Sequence, residues 1–506
     1  TPKPSSAASD VYKRQLNINP MKKLLLLLLF IPLVSFFYFF VSGFKVSPNK
    51  AQMSSDPDLK GYFVDAKNGD DENSGKQIGS PWKTVKKINS IIFEPGDNVY
   101  FKRGTSYSHG LQINGNGTKN NPITVSAYGE GDAPKFTNTN NSVFNGNAVQ
   151  INGDYQIVEN LYVYGTNPAS NGFFLTVWKL GGIKANLGAD HAIIRNNEVV
   201  DCPIGINSYS EFCLITNNNI HDCNRPIFPP GWGPIGIRIG MGNTEISHNI
   251  IHNYHSFGGT WGGDGGAIEI DDGRNPRNNI FIHHNKSSLN MGFCEISYGF
   301  DICKKKNLER ASRLGDPRTC NKEDRILKNL IMAYNESRDY SAFTQIFAPM
   351  VDAFIENNTI IRTVEHPDIE SNVFREHDPD NQATDSPTEY RNNLVVLVSE
   401  KTRKGVGNQV YLGWPMAEFN HSNNLFFNLD NPIIVFSDNP SENKEYAEGA
   451  IIANPLLANL FKGDYRPTDK SPSIDNGYDD GHYSFDLDGN PIISKRDIGA
   501  YEFQGK

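Results

Sequence analysis

Short strings in which apolar and polar residues alternate recur along the chain, and each string has an asparagine at the same position. The nine asparagines are Asn160, Asn197, Asn218, Asn249, Asn285, Asn335, Asn358, Asn393 and Asn424. The shortest intervals, 21 and 23 residues, match one solenoid turn of three short strands and three bends. Alternation directs side chains inward and outward by turns, while asparagine amides can bond one another along a bend. The pattern therefore predicts an all-β fold, a right-handed parallel β-helix with an asparagine ladder.

The N-terminal part of the chain has a different pattern. Two lysines after Met21 precede a nearly unbroken apolar run of 18 residues, 24–41. Such a run directs a chain to a membrane, as a signal peptide or as an uncleaved anchor. We expect residues 1–20 to be a non-native leader, 21–45 the signal peptide or membrane anchor, and 46–60 a linker. The body is predicted to be extracytoplasmic (secreted, periplasmic or membrane-anchored), with membrane contact only through residues 24–41.

The charge of the body limits its partners. Without residues 1–45 the chain has 42 basic and 56 acidic residues, a net charge of −14. A surface of this sign disfavours nucleic acid, and it disfavours long polyanions unless a local basic strip receives them.

The six cysteines fit an oxidising compartment. Cys202 and Cys223 are 21 residues apart, like their ladder asparagines, so we expect them on adjacent rungs. A strand spacing of roughly 4.8 Å allows a disulfide there, although two reduced inward cysteines pack equally well. A second bridge, between Cys303 and Cys320, would close a charged insertion.

Several strings near both ends resemble a known family. VDAKNGDD, SPWKTV, PGDNVYFKRG and NPITVSAYG, in that order, are similar to the N-terminal part of bacterial right-handed parallel β-helix proteins of the pectate-lyase-like superfamily. FDLDGNPIISKRDIGAYEF resembles their closing segment. The resemblance implies an N-terminal cap and first strands at 61–136, a parallel β-helix at 137–445 and a closing segment at 446–506. It does not specify the reaction, because lyases, hydrolases, epimerases and non-catalytic adhesins share this scaffold.

A second recurring string precedes each ladder segment and predicts an outward-facing polar column. Its members, each set between apolar neighbours, are Lys184, Asn207, Arg238, Glu269, Glu295 and Gln345. On successive rungs they would lie roughly 4.8 Å apart. Glu269 and Glu295 then become neighbouring carboxylates, at about the 5 to 5.5 Å separation of retaining glycosidases, and one of their pKa values should be raised.

The string GGDGGAIEIDDG adds further carboxylates around Glu269. Asp271 shares its sheet face with Glu269, and Asp272 precedes Glu295 by one coil length, 23 residues. DDG followed by FCEISYG is faintly similar to the catalytic region of parallel β-helix β-xylosidases, which implies an Asp nucleophile and a Glu acid/base on neighbouring turns. We therefore predict a carbohydrate-active enzyme, a glycoside hydrolase with Glu295 as general acid/base and Glu269, Asp271 or Asp272 as its partner.

Aromatic residues in neighbouring loops fit a polysaccharide or oligosaccharide substrate, because sugar C–H faces pack on aromatic rings. The predicted substrate-binding residues are Lys184, Arg238, Trp178, Trp232, Trp261, Tyr298 and Gln345.

Other interpretations of the same residues stay open. The column can be a structural salt-bridge ladder, with Arg238 bound to Glu269. A polysaccharide lyase would use Lys184 and Arg238 to neutralise a uronate, and a non-catalytic glycan-binding or adhesion β-helix would use the same strip without turnover. No cofactor is required, although calcium is possible at Asp264, Asp271 and Asp272. Structural roles are expected for His248, His252, His255, His283 and His284.

Overall fold

The described part of the chain winds into a right-handed parallel β-helix, which confirms the predicted fold. The structure, a computed structural model, describes residues 59–138, 146–165, 181–227, 233–257, 263–271, 277–297, 326–362, 372–377, 388–397, 410–414, 419–430, 433–437 and 440–505. Three long sheets of parallel strands run along the solenoid in these ranges, and each coil contributes one strand to each sheet.

The site sheet, named for the polar column that it carries, has strands Leu111–Ile113, Val149–Ile151, Gly181–Ala185, Ile204–Ser208, Ile235–Ile239, Gly266–Ile270, Cys294–Ile296, Thr344–Ile346, Phe374–His377 and Tyr411–Trp414. The second sheet has strands Tyr62–Val64, Asn98–Lys102, Ile123–Tyr128, Gln156–Glu159, Ile193–Arg195, Leu214–Thr216, Thr244–Ser247, Arg277–His283, Leu327–Ala333, Met350–Glu356, Thr388–Arg391 and Phe419–Ser422. The third sheet has strands Ser106–Tyr107, Lys135–Phe136, Tyr162–Tyr164, Glu198–Val200, Asn219–Cys223, Ile250–Tyr254, Lys286–Ser288, Glu336–Arg338, Thr359–Arg362, Leu394–Leu397, Asn424–Asn428 and Ala450–Ile452.

The remaining elements are short. Two antiparallel hairpins pair Ser256–Phe257 with Gly263–Asp264 and Leu457–Asn459 with Asp464–Pro467. The helices are Val85–Asn89, Pro440–Glu448 and the 3₁₀ turn Leu460–Lys462. Within the described residues, the helices are too short or too polar to cross a membrane, and the apolar run 24–41 lies outside those residues.

Stacked aliphatic side chains fill the interior of the coil. On the site sheet, Ile206, Ile237 and Ile268 are aligned on consecutive strands and are at most 1% exposed. Removing this apolar surface from water stabilises the fold by about 25 cal/mol per Å². The inward direction of these residues fixes the outward direction of their sequence neighbours.

The asparagine ladder lies at the bend between the second and third sheets. Each member after Asn197 accepts two hydrogen bonds at Oδ1, from the backbone N–H and the Nδ2 of the asparagine one rung earlier, at 2.8 to 3.1 Å. Its own Nδ2 donates to a buried carbonyl, as Asn285 does to Ile246. The ladder runs from Asn197 to Asn424 and satisfies backbone groups that no strand partner reaches.

Asn160 is not a member of this ladder, so its predicted place is wrong by one residue. The next residue, Leu161, occupies the ladder position, and its N–H donates to Asn197 Oδ1. Asn160 has φ 61°, like Asn196 at φ 56° on the following rung, and so takes the left-handed position of the bend. Asparagine tolerates this conformation better than leucine does, which explains the shift.

The helix Val85–Asn89 and the closing segment pack on the coil in different ways. The helix Val85–Asn89 buries Val85 and Ile88 in the main core, and Asn89 bonds the backbone of Gly110 and Gln112, so this segment packs on the first coil. The closing segment lies beside the bend that holds the ladder: Asn357 donates to the carbonyl of Asp497.

Three histidines mediate part of this contact with the closing segment. His248 and His284 stack in the bend with ring centroids 5.1 Å apart, and Nδ1 of His283 lies 2.8 Å from Nδ1 of His284. Nε2 of His284 is 3.1 Å from the carbonyl oxygen of Phe485, and Tyr483 packs on both rings of the pair. Burial lowers the pKa of His248 to about 4 and holds that of His284 well below its usual range, which fits structural roles for these two rings.

The cysteines of the described ranges are buried thiols. Cys202 and Cys223 follow the aligned pair Val200 and His221 and therefore lie on adjacent rungs, as expected. The structure contains the reduced alternative rather than the disulfide, since both sulphurs pack as small apolar groups in the core. Cys303 and Cys320 lie outside the described residues.

Replacing a ladder asparagine tests the energetic role of the ladder. Asn285→Ala leaves the backbone N–H and the Nδ2 of Asn249 without their acceptor in a buried bend. We expect it to lower the free energy of unfolding by roughly 2 to 4 kcal/mol, seen as a lower thermal midpoint by circular dichroism. The exposed control Asn420→Ala should stay within about 0.5 kcal/mol. Equal midpoints for the two variants would contradict a stabilising ladder.

Candidate active site

The site sheet aligns the predicted polar column. Lys184, Asn207, Arg238, Glu269, Glu295 and Gln345 pair one with the next across five consecutive strand pairs. Arg375 continues the column on the next strand. Neighbours in the hydrogen-bonding direction of a sheet are about 4.8 Å apart. The predicted registration is therefore confirmed. It brings residues that are more than 160 positions apart in the chain, such as Lys184 and Gln345, onto one face of the coil.

Buried neighbours direct the two glutamates outward. Ile268 and Ile270 are at most 1% exposed and point into the coil, so Glu269 between them points away from it. Cys294 and Ile296 do the same for Glu295. Both glutamate side chains are partly buried on the outer face of the sheet.

Arg238 forms a salt bridge with Asp271 rather than the bond to Glu269 that the alternative of a structural salt-bridge ladder required. Its Nη2 donates to Asp271 Oδ2, and its Nη1 donates to Asn207 Oδ1 at 3.3 Å. Glu269 lies directly beside Arg238 in the ladder, but the long guanidinium extends along the strand and reaches the residue two positions further. Because Arg238 is 0% exposed, it holds protein groups instead of contacting substrate as predicted.

Asp271 has a second partner on the following rung. The hydroxyl of Ser297 donates to Asp271 Oδ1, while Arg238 binds Oδ2. Arg277 in turn donates to the carbonyl of Ser297. Two donors on opposite oxygens fix the plane of this carboxylate and maintain its negative charge.

The two glutamates beside Asp271, Glu269 and Glu295, have raised pKa values. Burial, together with the nearby Asp264 and Asp271, raises the pKa of Glu295 to about 8 against the opposing effect of Arg375. Burial also raises the pKa of Glu269 well above its usual range, and Asp271 and Glu295 act in the same direction. The cluster therefore combines an ion-paired Asp271 with a Glu295 whose pKa lies above pH 7, beside a Glu269 whose pKa is also raised.

Asp264, one of the carboxylates of the GGDGGAIEIDDG string and a possible calcium ligand, is a fourth member of the cluster. It ends the hairpin strand Gly263–Asp264 just before the site strand Gly266–Ile270. Its carboxyl accepts from the backbone N–H groups of Gly233 at 2.9 Å and Gly265 at 2.8 Å. Burial raises its pKa nevertheless, so Asp264 is a second candidate proton donor.

Gln345 and Arg375 border the cluster on its C-terminal side. Gln345 Nε2 donates to Glu295 Oε2 at 3.1 Å, and Arg375 Nη1 donates to Gln345 Oε1 at 3.4 Å. On the other side, Lys184 is three rungs from Glu269, roughly 14 Å at the strand spacing. A sugar at the carboxylates can thus touch Gln345, whereas Lys184 belongs to a more distant part of the wall.

Five predicted site residues lie outside the described residues: Asp272, Trp178, Trp232, Trp261 and Tyr298. Their predicted roles stay predictions. Within the described ranges, no group of three or more His, Cys, Asp and Glu side chains is arranged to hold a metal ion. The calcium hypothesis included Asp272 and also stays open.

The topology and the cluster define a right-handed parallel β-helix protein with grouped carboxyls on its outer wall. No protein-family model matches the chain. A stretch of 88 residues is 38% identical to the lacto-N-biosidase of Bifidobacterium longum subsp. longum. This match covers 16% of the chain and 5% of that much longer protein.

Three solved structures are similar over most of the chain. The GH136 lacto-N-biosidase from Eubacterium ramulus has 16% identity and a TM-score of 0.46, over 72% of this chain and 64% of that one. XylC in complex with xylose has 12% identity and a TM-score of 0.48, over 87% and 98%. Pectate lyase Pel9A has 14% identity and a TM-score of 0.45, over 87% and 96%.

The raised pKa of Glu295 predicts that its removal stabilises the fold at high pH. An acid with a folded pKa of about 8 and an unfolded pKa near 4.5 binds more protons when folded, so stability falls as pH rises between these values. Glu295→Gln should abolish this loss. The free energy of unfolding of the variant, relative to that of the parent protein, should be higher by roughly 2 to 4 kcal/mol at pH 8.5 than at pH 4. Urea denaturation at both pH values measures it.

Glu376→Gln is the matched control. Glu376 lies in the inward column beside Ile346, bonds the Tyr390 hydroxyl, and has its pKa raised to about 7 by burial. It should show the same sign of stabilisation without affecting the outer wall. A pH-independent difference between the Glu295→Gln variant and the parent protein would contradict a protonated Glu295.

Proposed function

We propose that this protein is an extracytoplasmic glycoside hydrolase that uses the carboxyl cluster of the site sheet. The observation that carries the proposal is the difference between two neighbouring carboxyls: Asp271 is ion-paired with Arg238, whereas Glu295 on the next rung has a pKa of about 8. Glycosidic bond cleavage needs one protonated carboxyl for the leaving oxygen and one carboxylate for the anomeric side.

The roles follow from these states. Glu295 protonates the leaving oxygen, as expected from the sequence, and Asp271 is the carboxylate partner among the three candidates considered. Glu269 fits that role less well, because burial and the neighbouring Asp271 and Glu295 raise its pKa and so disfavour its carboxylate form. Asp271 acts either as a nucleophile or as a base toward water, and the anomeric configuration of the first product distinguishes these two mechanisms.

The substrate proposal is a neutral oligosaccharide. The local match to a lacto-N-biosidase makes lacto-N-biosides the first substrates to test, and the similarity of the DDG and FCEISYG strings to β-xylosidases adds β-xylosides. A lyase is less well supported, because it needs a cation at the uronate carboxylate and Arg238 is buried against Asp271.

Leaving-group dependence tests the assignment. A 2,4-dinitrophenyl glycoside needs no proton donor, whereas a phenyl glycoside does. Glu295→Gln should lose roughly 10²- to 10⁴-fold in kcat/KM on the phenyl glycoside and much less on the dinitrophenyl glycoside. Asp271→Asn should lose activity on both, and the interior control Glu376→Gln on neither.

Other outcomes have defined meanings. If Asp264→Asn shows the leaving-group dependence and Glu295→Gln does not, the proton donor is Asp264. Unsaturated products from polyuronates would support a lyase. Glycan binding without any product from the parent protein would support a non-catalytic module, and either result would refute the hydrolase proposal.

A further inference from the structure

Tyr209 contacts Arg238, the partner of Asp271, although neither its sequence context nor the proposed reaction singles it out. It follows the site strand Ile204–Ser208 and is only 4% exposed. Its hydroxyl accepts a hydrogen bond from Arg238 Nη1, and its ring lies 5.4 Å from Arg238 Cζ. The ring therefore packs on the guanidinium that binds Asp271.

The space for this ring depends on Gly240. Tyr209, Gly240 and Asp271 occupy equivalent positions on three consecutive rungs, each bonded through its N–H to the coil before it. A Cβ at Gly240 would lie 2.5 Å from Tyr209 Cε1 and 2.8 Å from Cδ1, closer than carbon atoms approach in proteins. Glycine is thus required for space, since Gly240 is not among the residues with positive φ.

Ser297 acts from the opposite side of Asp271. Its Oγ donates to Oδ1, and its own backbone is bonded by Ile270 and Arg277, which fix its position. Arg238, held by Tyr209, occupies Oδ2. Both carboxylate oxygens of Asp271 therefore accept hydrogen bonds, one from the preceding rung and one from the following rung.

We propose that Tyr209, Gly240 and Ser297 are positioning residues that hold Asp271 in its reactive orientation, Tyr209 and Gly240 through Arg238 and Ser297 directly. The proposal rests on the proposed function, in which Asp271 is the reacting carboxylate. A carboxylate that is misplaced by a fraction of an ångström attacks or activates water poorly, although the substrate still binds. The signature is a loss in kcat with little change in KM.

Three variants test this inference: Tyr209→Phe, which removes the hydroxyl, Gly240→Ala, which displaces the ring, and Ser297→Ala, which removes the second donor. We expect kcat to fall about tenfold for Tyr209→Phe and Ser297→Ala and about 10²-fold for Gly240→Ala, with KM within about twofold. The losses should be equal on phenyl and dinitrophenyl glycosides, which separates positioning of Asp271 from proton donation. Ser297→Thr, which keeps the hydroxyl, should recover most of the activity.

Matched controls exclude a general effect on the fold. Tyr254→Phe removes the hydroxyl of another buried tyrosine, which bonds the carbonyl of Cys202 in the core instead of the side chain of Arg238. Gly79→Ala adds a methyl group where nothing lies within 4 Å. Both should keep the parent kcat, and circular dichroism melting shows whether each site variant is folded.

The two proposals fail in different ways. A parent protein without activity on any glycoside refutes the proposed function and this inference with it. An active parent with unchanged kcat in folded Tyr209→Phe and Ser297→Ala refutes the inference alone. If Gly240→Ala does not fold, those two variants still decide.

Discussion

The alignment of successive coils is the constraint on which the rest of this structure depends. Parallel strands fix the spacing between rungs, and the buried asparagine ladder bonds each bend to the next, so a one-residue slip would break several buried hydrogen bonds at once. Because the coils cannot slip, Glu269 and Glu295 stay paired although 26 positions separate them in the chain. The hydrogen bonds of the asparagine ladder thus help to fix which side chains become neighbours on the outer face of the site sheet.

The same alignment makes the site electrostatically uneven. Asp271 is bound by the buried guanidinium of Arg238 on the rung before it and by the hydroxyl of Ser297 on the rung after it. Glu295 accepts a hydrogen bond from the amide of Gln345, and Arg375 lies one rung further away. A direct ion pair offsets the cost of burial, but an amide and a distant charge do not. Carboxyls of one cluster therefore hold different protonation states at the same pH, which acid/base chemistry requires.

Periodicity predicted the elements whose position depends on backbone register. The fold, the polar column and the adjacency of Glu269 and Glu295 all follow from aligning the recurring strings, and the structure has them in place. Asn160 is the exception. The same bend accepts two consecutive asparagines or an Asn–Leu pair, and the residue that follows the left-handed one occupies the ladder position. The string alone does not show which residue takes the left-handed conformation.

Side-chain contacts across rungs are a different matter, and the sequence did not specify them. The pairing of Arg238 with Asp271 depends on the reach of a long side chain along the strand, and the place of Tyr209 depends on the absence of a side chain at Gly240. Asp264 joins the cluster because a hairpin turns it back toward the wall. In the described parts of the coils these relations occur once each, and a solenoid that repeated them would build a site on every rung. The functional residues of such a fold are expected where periodicity breaks: in this wall, at a glycine, a hairpin and a diagonal ion pair on neighbouring rungs.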